Sequence, residues 1–266
     1  MLKDITLGQF FPGDTVAHRL DPRTKILLVV LYIVALFCAK SLLAYGILAA
    51  VLAVCVRISR VGIKSLVRGL KPVVFIIVFT GILNLFFTPG EHILAELGFL
   101  RISAEGLQNA VFMVLRIMLL IMGTFLMTYT TSPISLTDGL ERLLGGLKKI
   151  HVPVHELAMI MSIALRFIPT LIEETDKIMS AQKARGADFE SGNIIQKAKA
   201  LIPILVPLFI SAFRRADELA VAMECRYHGG EGRTKLHVLQ YEGRDYLALA
   251  LGLAVTAGII VLRQFT

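Results

Sequence analysis

Five apolar stretches bounded by charge or proline constrain this chain more than any other feature. They cover residues 26–39, 42–56, 72–88, 107–129 and 246–262. A helix needs about 20 apolar residues to cross a bilayer, and a soluble domain has no use for five such runs. The composition agrees: 56% of residues are hydrophobic, the mean hydropathy is +0.72, and charged residues are 18% against about 25% in an average soluble chain. These values exclude intrinsic disorder and argue against a water-soluble enzyme. The first two runs are short, about 14–16 residues each, with Lys40 and Ser41 between them. They fit two short spans in a hairpin, or one tilted helix of about 48 Å; the hairpin is favoured because that length overshoots a bilayer. Upstream, Asp21-Pro22-Arg23-Thr24-Lys25 marks a helix start near residue 22, with Asp21 as N-cap and Pro22 at the first position.

Charge orients the spans. Arg57, Arg60, Lys64, Arg68 and Lys71 lie between the second and third with no acid among them, whereas Glu91, Glu96 and Glu105 face only Arg101 between the third and fourth. The positive-inside rule places the first loop in the cytoplasm and the second outside. The N-terminus is then cytoplasmic, supported by Arg19, Arg23 and Lys25, and an odd number of spans puts the C-terminus outside. The net charge of +8 reads as cytoplasmic basic loops rather than as nucleic-acid binding. The first twenty residues lack a continuous apolar stretch, so no cleavable signal is expected. Cys38, Cys55 and Cys225 form no CxxC motif, and neither disulfides nor zinc are expected.

Residues 132–242 are unusual. Segments 154–172 and 200–213 are nearly as apolar as spans, yet they contain Arg166, Pro169, Pro203 and Pro207 and run on into charged helical stretches. They read as two long helices at the inner membrane surface, preceded by a shorter helix near 135–149. The two helices resemble each other. With Arg185 aligned to Arg226, Ala181 meets Ala222, Ile178 meets Leu219, Asp176 meets Asp217 and Ile172 meets Phe213. Glycine follows each Arg closely, at Gly186 and at Gly229, as at helix C-termini generally. Each helix thus carries an Arg at its tip, either as an ordinary answer to the helix dipole or as an anchor for a partner. The expectation is an all-α membrane protein with about five transmembrane helices plus cytoplasmic or interfacial coupling helices. It divides into a membrane region (1–131), a coupling-helix region (132–242) and a final transmembrane helix (243–266).

In these features nearly the whole chain resembles the transmembrane T component of energy-coupling factor (ECF) transporters, the bacterial and archaeal vitamin importers. Asp21-Pro22-Arg23-Thr24-Lys25 is similar to the family's N-terminal signature. Ala184-Arg185-Gly186 is its Ala-Arg-Gly pattern as it stands, while Cys225-Arg226-Tyr227 departs from that pattern at both flanks. The resemblance implies partners: two ABC ATPase subunits (EcfA and EcfA′ type) and a small membrane S component that binds the vitamin, with several S components interchangeable. It implies that Ala184, Arg185, Gly186, Cys225, Arg226 and Tyr227 dock on the ATPases. Arg suits that role, because its planar, permanently charged guanidinium pairs bidentately. The apolar halves of the same helices offer Met159, Met161, Ile163, Ile168, Leu201, Ile204 and Phe209 as a surface for the S component, since Met-rich surfaces repack for different partners. The alternative is that this surface lies in lipid or packs internally.

No cofactor is expected in this chain. It has no Gly-Lys dipeptide and hence no Walker A loop, so ATP would be bound by the partner subunits and the chain itself is not an enzyme. His151 and His155 are four apart, but Pro153 intervenes and no third ligand is near. Asn84 and Arg116 are the polar residues within the third and fourth spans; the expectation is either a hydrogen bond between them, if the spans are antiparallel neighbours, or simple snorkelling. Ala250, Ala254 and Gly258 form a small-residue ladder expected to pack against another helix. A stand-alone secondary transporter would need ionisable residues along a path through the spans, and only Arg116 qualifies.

Overall fold

The computed structural model describes residues 10–88, 93–97, 100–187, 189, 193–225 and 239–264. They are dominated by helices: α1 (Val16–Arg19), α2 (Pro22–Cys38), α3 (Leu42–Ser59), α4 (Ile63–Leu70), α5 (Val74–Phe87), α6 (Ala104–Thr130), α7 (Pro133–Leu144), α8 (Val154–Ala184), α9 (Ile194–Glu224) and α10 (Gly243–Gln264). Two compact units can be distinguished, one of residues 10–154 with 239–264, the other of residues 155–225.

Local chemistry sets the helix boundaries. Asp21 caps α2 by accepting the Arg23 N–H at 2.9 Å, with Pro22 at the first position. The chain leaves helix at Ala39, and Ser41 starts α3 by accepting the Ala44 N–H at 3.4 Å. Residues 26–56 therefore form two helices. Residues of α1, just before α2, pack near the C-terminal end of α3, so α2 and α3 run antiparallel, as a hairpin requires.

Among the described residues, five helical segments are long and apolar enough to cross a membrane: Leu42–Ser59, Ile63–Phe87, Ala104–Thr130, Val154–Ala184 and Gly243–Gln264. This is the all-α, multi-pass architecture expected, with a different membership. Helix α2 has 17 residues, about 26 Å at 1.5 Å per residue, slightly short of a roughly 30 Å hydrocarbon core. Helix α8, read from sequence as interfacial, is long and apolar enough by composition to span. A small antiparallel hairpin, β1 (Ile93–Leu97) with β2 (Leu100–Ser103), occupies what the sequence suggested was plain loop.

The core of the larger unit is built by α2, α3, α6 and α10, with Leu36, Leu48 and Ile259 almost inaccessible. Two glycines permit close approach: a Cβ at Gly252 would lie 2.6 Å from Leu28 Cδ2, and one at Gly123 2.6 Å from the Tyr32 ring. The expected ladder on α10 does not pack against another helix among the described residues. Ala250, Ala254 and Gly258 are exposed, and nothing lies within 4 Å of a Cβ built at Gly258. The packed stripe is Gly252, Thr256 and Ile259, with the Thr256 hydroxyl donating to Gly252 O at 2.8 Å. Small residues allow close packing but do not choose the face; bulk on the facing helix does.

The expected Arg116–Asn84 pair is not formed. Asn84 donates its amide to Thr80 O at 3.0 Å. Arg116 donates to the Tyr45 hydroxyl at 2.8 and 3.1 Å and to Ala39 O at 3.4 Å. A helix end exposes carbonyls with no partner of their own, and the α2–α3 break offers one within reach of Arg116. The arginine thus closes the hairpin turn.

Candidate functional site

Helices α8 and α9 carry the residues singled out for coupling. Each is a continuous helix of 31 residues, despite Pro169 in α8 and Pro203 and Pro207 in α9. A proline removes the N–H that would reach the carbonyl four residues back. For Pro207 that carbonyl belongs to Pro203, and Gln182 of α8 donates its side-chain amide to it at 3.3 Å. Further along, Arg215 of α9 pairs with Glu174 of α8 at 3.1 Å, both partly buried. Moving back along α8 from 182 to 174 means moving forward along α9 from 203 to 215, so the helices run antiparallel. Two polar contacts brace them.

The end of α8 is closed by its backbone. Gly186 sits at φ +88°. The Ala187 N–H reaches Gln182 O at 3.0 Å and the Gly186 N–H reaches Lys183 O at 3.0 Å, the paired bonds of a Schellman motif. The Arg185 side chain is therefore not needed to satisfy these carbonyls. It is exposed, as is Ala184, and it makes no ion pair or side-chain hydrogen bond among the described residues. The tip is a backbone-closed turn presenting an exposed guanidinium. The second helix ends at Glu224, with the exposed Cys225 closing on Val221 O at 2.9 Å. Arg226 and Tyr227 lie outside the described residues.

The apolar surface divides. Met161, Leu201 and Phe209 point outward, with Phe209 61% exposed. Met159, Ile163 and Ile168 are half-buried, and Ile204 is buried. Ile160, Ile202, Val206 and Ile210 are exposed on the same helices, so the outward surface is wider than the sequence suggested.

In the larger unit, the Asp21–Lys25 segment forms a polar knot on the polar side of the apolar stretch that begins at Ile26. Arg23 donates to Asp21 from Nε at 3.0 Å and from Nη2 at 2.7 Å, and stacks 3.9 Å over the Tyr241 ring. Asp245 accepts the Asp21 N–H at 2.9 Å through Oδ1 and the Glu242 N–H at 2.9 Å through Oδ2. The second bond is the reach-back half of a capping box on α10. Lys25 Nζ donates to Thr130 O at 2.9 Å and His18 O at 3.1 Å. Burial alone would raise the Asp21 pKa, but the Arg23 hydrogen bonds and the charges of Arg23 and Lys25 hold it below the usual carboxylate value. Burial lowers the Lys25 pKa to about 8, against the opposing pull of Asp245 and Asp21. One knot thus ties α2 to the end of α6 and the start of α10. At the same place Gly139 of α7 meets Pro22, where a Cβ would come within 2.9 Å.

Residues 13–236 match the family described as CbiQ, cobalt transport protein. A Clostridium kluyveri protein named energy-coupling factor transporter transmembrane protein EcfT is 54% identical over 99% of this chain and 98% of its own length. Proteins of the same name from Thermosediminibacter oceani and Bacillus subtilis are 53% and 47% identical, over 97% and 99% of this chain and 98% and 100% of their own. The chain belongs to the EcfT family. It is a multi-pass transmembrane component of an energy-coupling factor transporter, as its architecture and the names of its relatives agree. Within this EcfT-family chain, sequence reasoning missed Gln182, the Glu174–Arg215 pair and Asp245. The Pro-x-x-x-Pro spacing of 203 and 207 announces an orphaned carbonyl, but its donor is visible only once α8 and α9 are placed. Asp245 lies 224 residues from its partner Asp21 and carries no local signal.

Proposed function

We propose that this chain couples ATP hydrolysis in two ABC ATPase subunits to vitamin or micronutrient import through a separate S component. The observation that carries the reading is the exposed Arg185 on a backbone-closed tip of a 31-residue helix, braced to a matching helix. A tip held by Schellman bonds transmits displacement; a frayed end would absorb it. Arg185 docks on one ATPase and Arg226, at the corresponding end of α9, on the other, with Ala184, Gly186, Cys225 and Tyr227 shaping the contacts. The outward apolar residues, Met161, Leu201 and Phe209 foremost, face the S component. The N-terminus and residues 132–242 are cytoplasmic and the C-terminus is outside, a reading supported by the basic 57–71 loop and an odd number of spans. The chain binds no nucleotide itself; its partners do.

The test is co-purification in mild detergent with co-expressed ATPases, followed by ATP-driven uptake in vesicles. Arg185→Ala and Arg226→Ala each weaken ATPase retention, by about 2–4 kcal/mol for an anchoring residue, and the double substitution releases the ATPases. Full retention and unchanged uptake in the double variant refute the reading, as does transport by the chain alone without ATP.

A further inference from the structure

The segment from Arg57 to Lys71 contains five cations and no acid. Arg57, Arg60, Lys64, Arg68 and Lys71 are all exposed, and none of their side chains makes an ion pair or hydrogen bond among the described residues. The protein holds this segment firmly. Leu66 and Leu70 of α4 are buried, Gly69 lies against the Phe125 ring of α6, and the Tyr129 hydroxyl donates to Ser65 O at 3.3 Å. With that face turned inward, Lys64, Arg68 and Lys71, at i, i+4 and i+7, form one outward stripe. Ile63 and Val67, 67% and 54% exposed, line its flank. Cations beside uncovered apolar side chains at the basic end of the Ile63–Phe87 segment are the chemistry of a surface lying at headgroup level.

Arg60 adds a second observation. It ends α3 in the left-handed region, φ 54°, where glycine is the unstrained choice. An arginine there keeps a guanidinium at the turn despite backbone strain. The acid lining the adjoining cleft, Asp14, does not neutralise it; Asp14 lies 4.0 Å from Arg19 instead.

We propose that α4 and the turn before it form a binding surface for the headgroups of anionic phospholipids. The surface follows from the chain being a membrane protein and does not depend on coupling to ATPases, so its test needs no partner subunit. The purified chain in mild detergent is titrated with phosphatidylglycerol, phosphatidylcholine or inorganic phosphate, and bound adducts are counted by native mass spectrometry. Phosphatidylglycerol is retained in preference to phosphatidylcholine. Each basic residue near an anionic surface is worth about fivefold, so Lys64→Gln/Arg68→Gln/Lys71→Gln lowers phosphatidylglycerol affinity about 100-fold. Arg60→Gly lowers it about fivefold while the melting temperature stays or rises, which keeps the test decisive if the triple variant folds poorly. Removing the same kind of charge elsewhere, Lys148→Gln/Lys149→Gln, leaves retention unchanged. Equal retention of both lipids, equal loss in the Lys148/Lys149 control, or phosphate binding as tightly as phosphatidylglycerol overturns the proposal.

Discussion

Asp245 offers an exacting test, because two neutral substitutions at one buried position must behave differently. Its side chain is 2% exposed and accepts two backbone N–H groups. Asp21, which provides one of them, is 7% exposed. Stranding that buried donor costs about 1–3 kcal/mol. The other donor, Glu242, is exposed, so water replaces most of what is lost there, leaving about 1 kcal/mol. Asp245→Ala loses both bonds. Asp245→Asn keeps one oxygen, which turns to the buried Asp21 N–H, and presents its amide to Glu242. Both variants remove the negative charge that opposes the burial of Lys25, so that term cancels between them. The remaining difference is the Asp21 bond, about 1–3 kcal/mol. At about 2–4 °C per kcal/mol for a chain of this size, Asp245→Ala melts about 2–12 °C below Asp245→Asn, and both melt below the parent. Circular dichroism at 222 nm, followed on heating in detergent, reads this directly. Identical melting of the two variants refutes the assignment of Asp245 as a tie between the chain's two ends.

Lys25 makes stability depend on pH. Its folded pKa of about 8 lies below the ordinary 10.5, so between these values the unfolded chain holds more protons and stability rises with pH. The gain is about 1.4 kcal/mol per pH unit, about 3 kcal/mol in all; melting series at pH 7 to 10.5 show it in the parent, and Lys25→Met removes that part of the slope. Gly139→Ala forces a Cβ against Pro22 backbone and side chain and costs about 1–3 kcal/mol. Gly258→Ala meets nothing and melts at or above the parent temperature; a loss there restores the small-residue ladder as the packing face of α10. Gly186→Ala places a side chain at φ +88° and costs about 1–2 kcal/mol. It leaves Arg185 in place but loosens the tip, so ATP-driven uptake falls while the Arg185 charge is intact; unchanged uptake separates the charge from the rigidity.

The pattern of ties gives the chain its logic. The ends of α2, α6 and α10 are held together by buried polar contacts, and the α2–α3 turn is closed by Arg116. Helices α8 and α9 are braced by Gln182 and by the Glu174–Arg215 pair.

Periodicity and composition were enough to establish the membrane class, the helical runs, the α2 start at Pro22 and two long helices ending near residues 184 and 224, though not the start of the second at Ile194. Those features are local: apolar length, a capping side chain, a proline or glycine at a helix end act within a few residues. The Arg185 tip was legible for the same reason, since Ala184-Arg185-Gly186 carries its own C-cap. What tertiary structure alone decided is which distant groups answer each other. Arg116 meets Tyr45 rather than Asn84, Gly252 rather than Gly258 faces α2, Gln182 finds the carbonyl that Pro207 orphans, and Asp245 holds the Asp21 N–H. A sequence shows which polar groups need partners in an apolar interior; the partner is the nearest complementary group once the helices pack, and nearness across tens or hundreds of residues is a property of the packing.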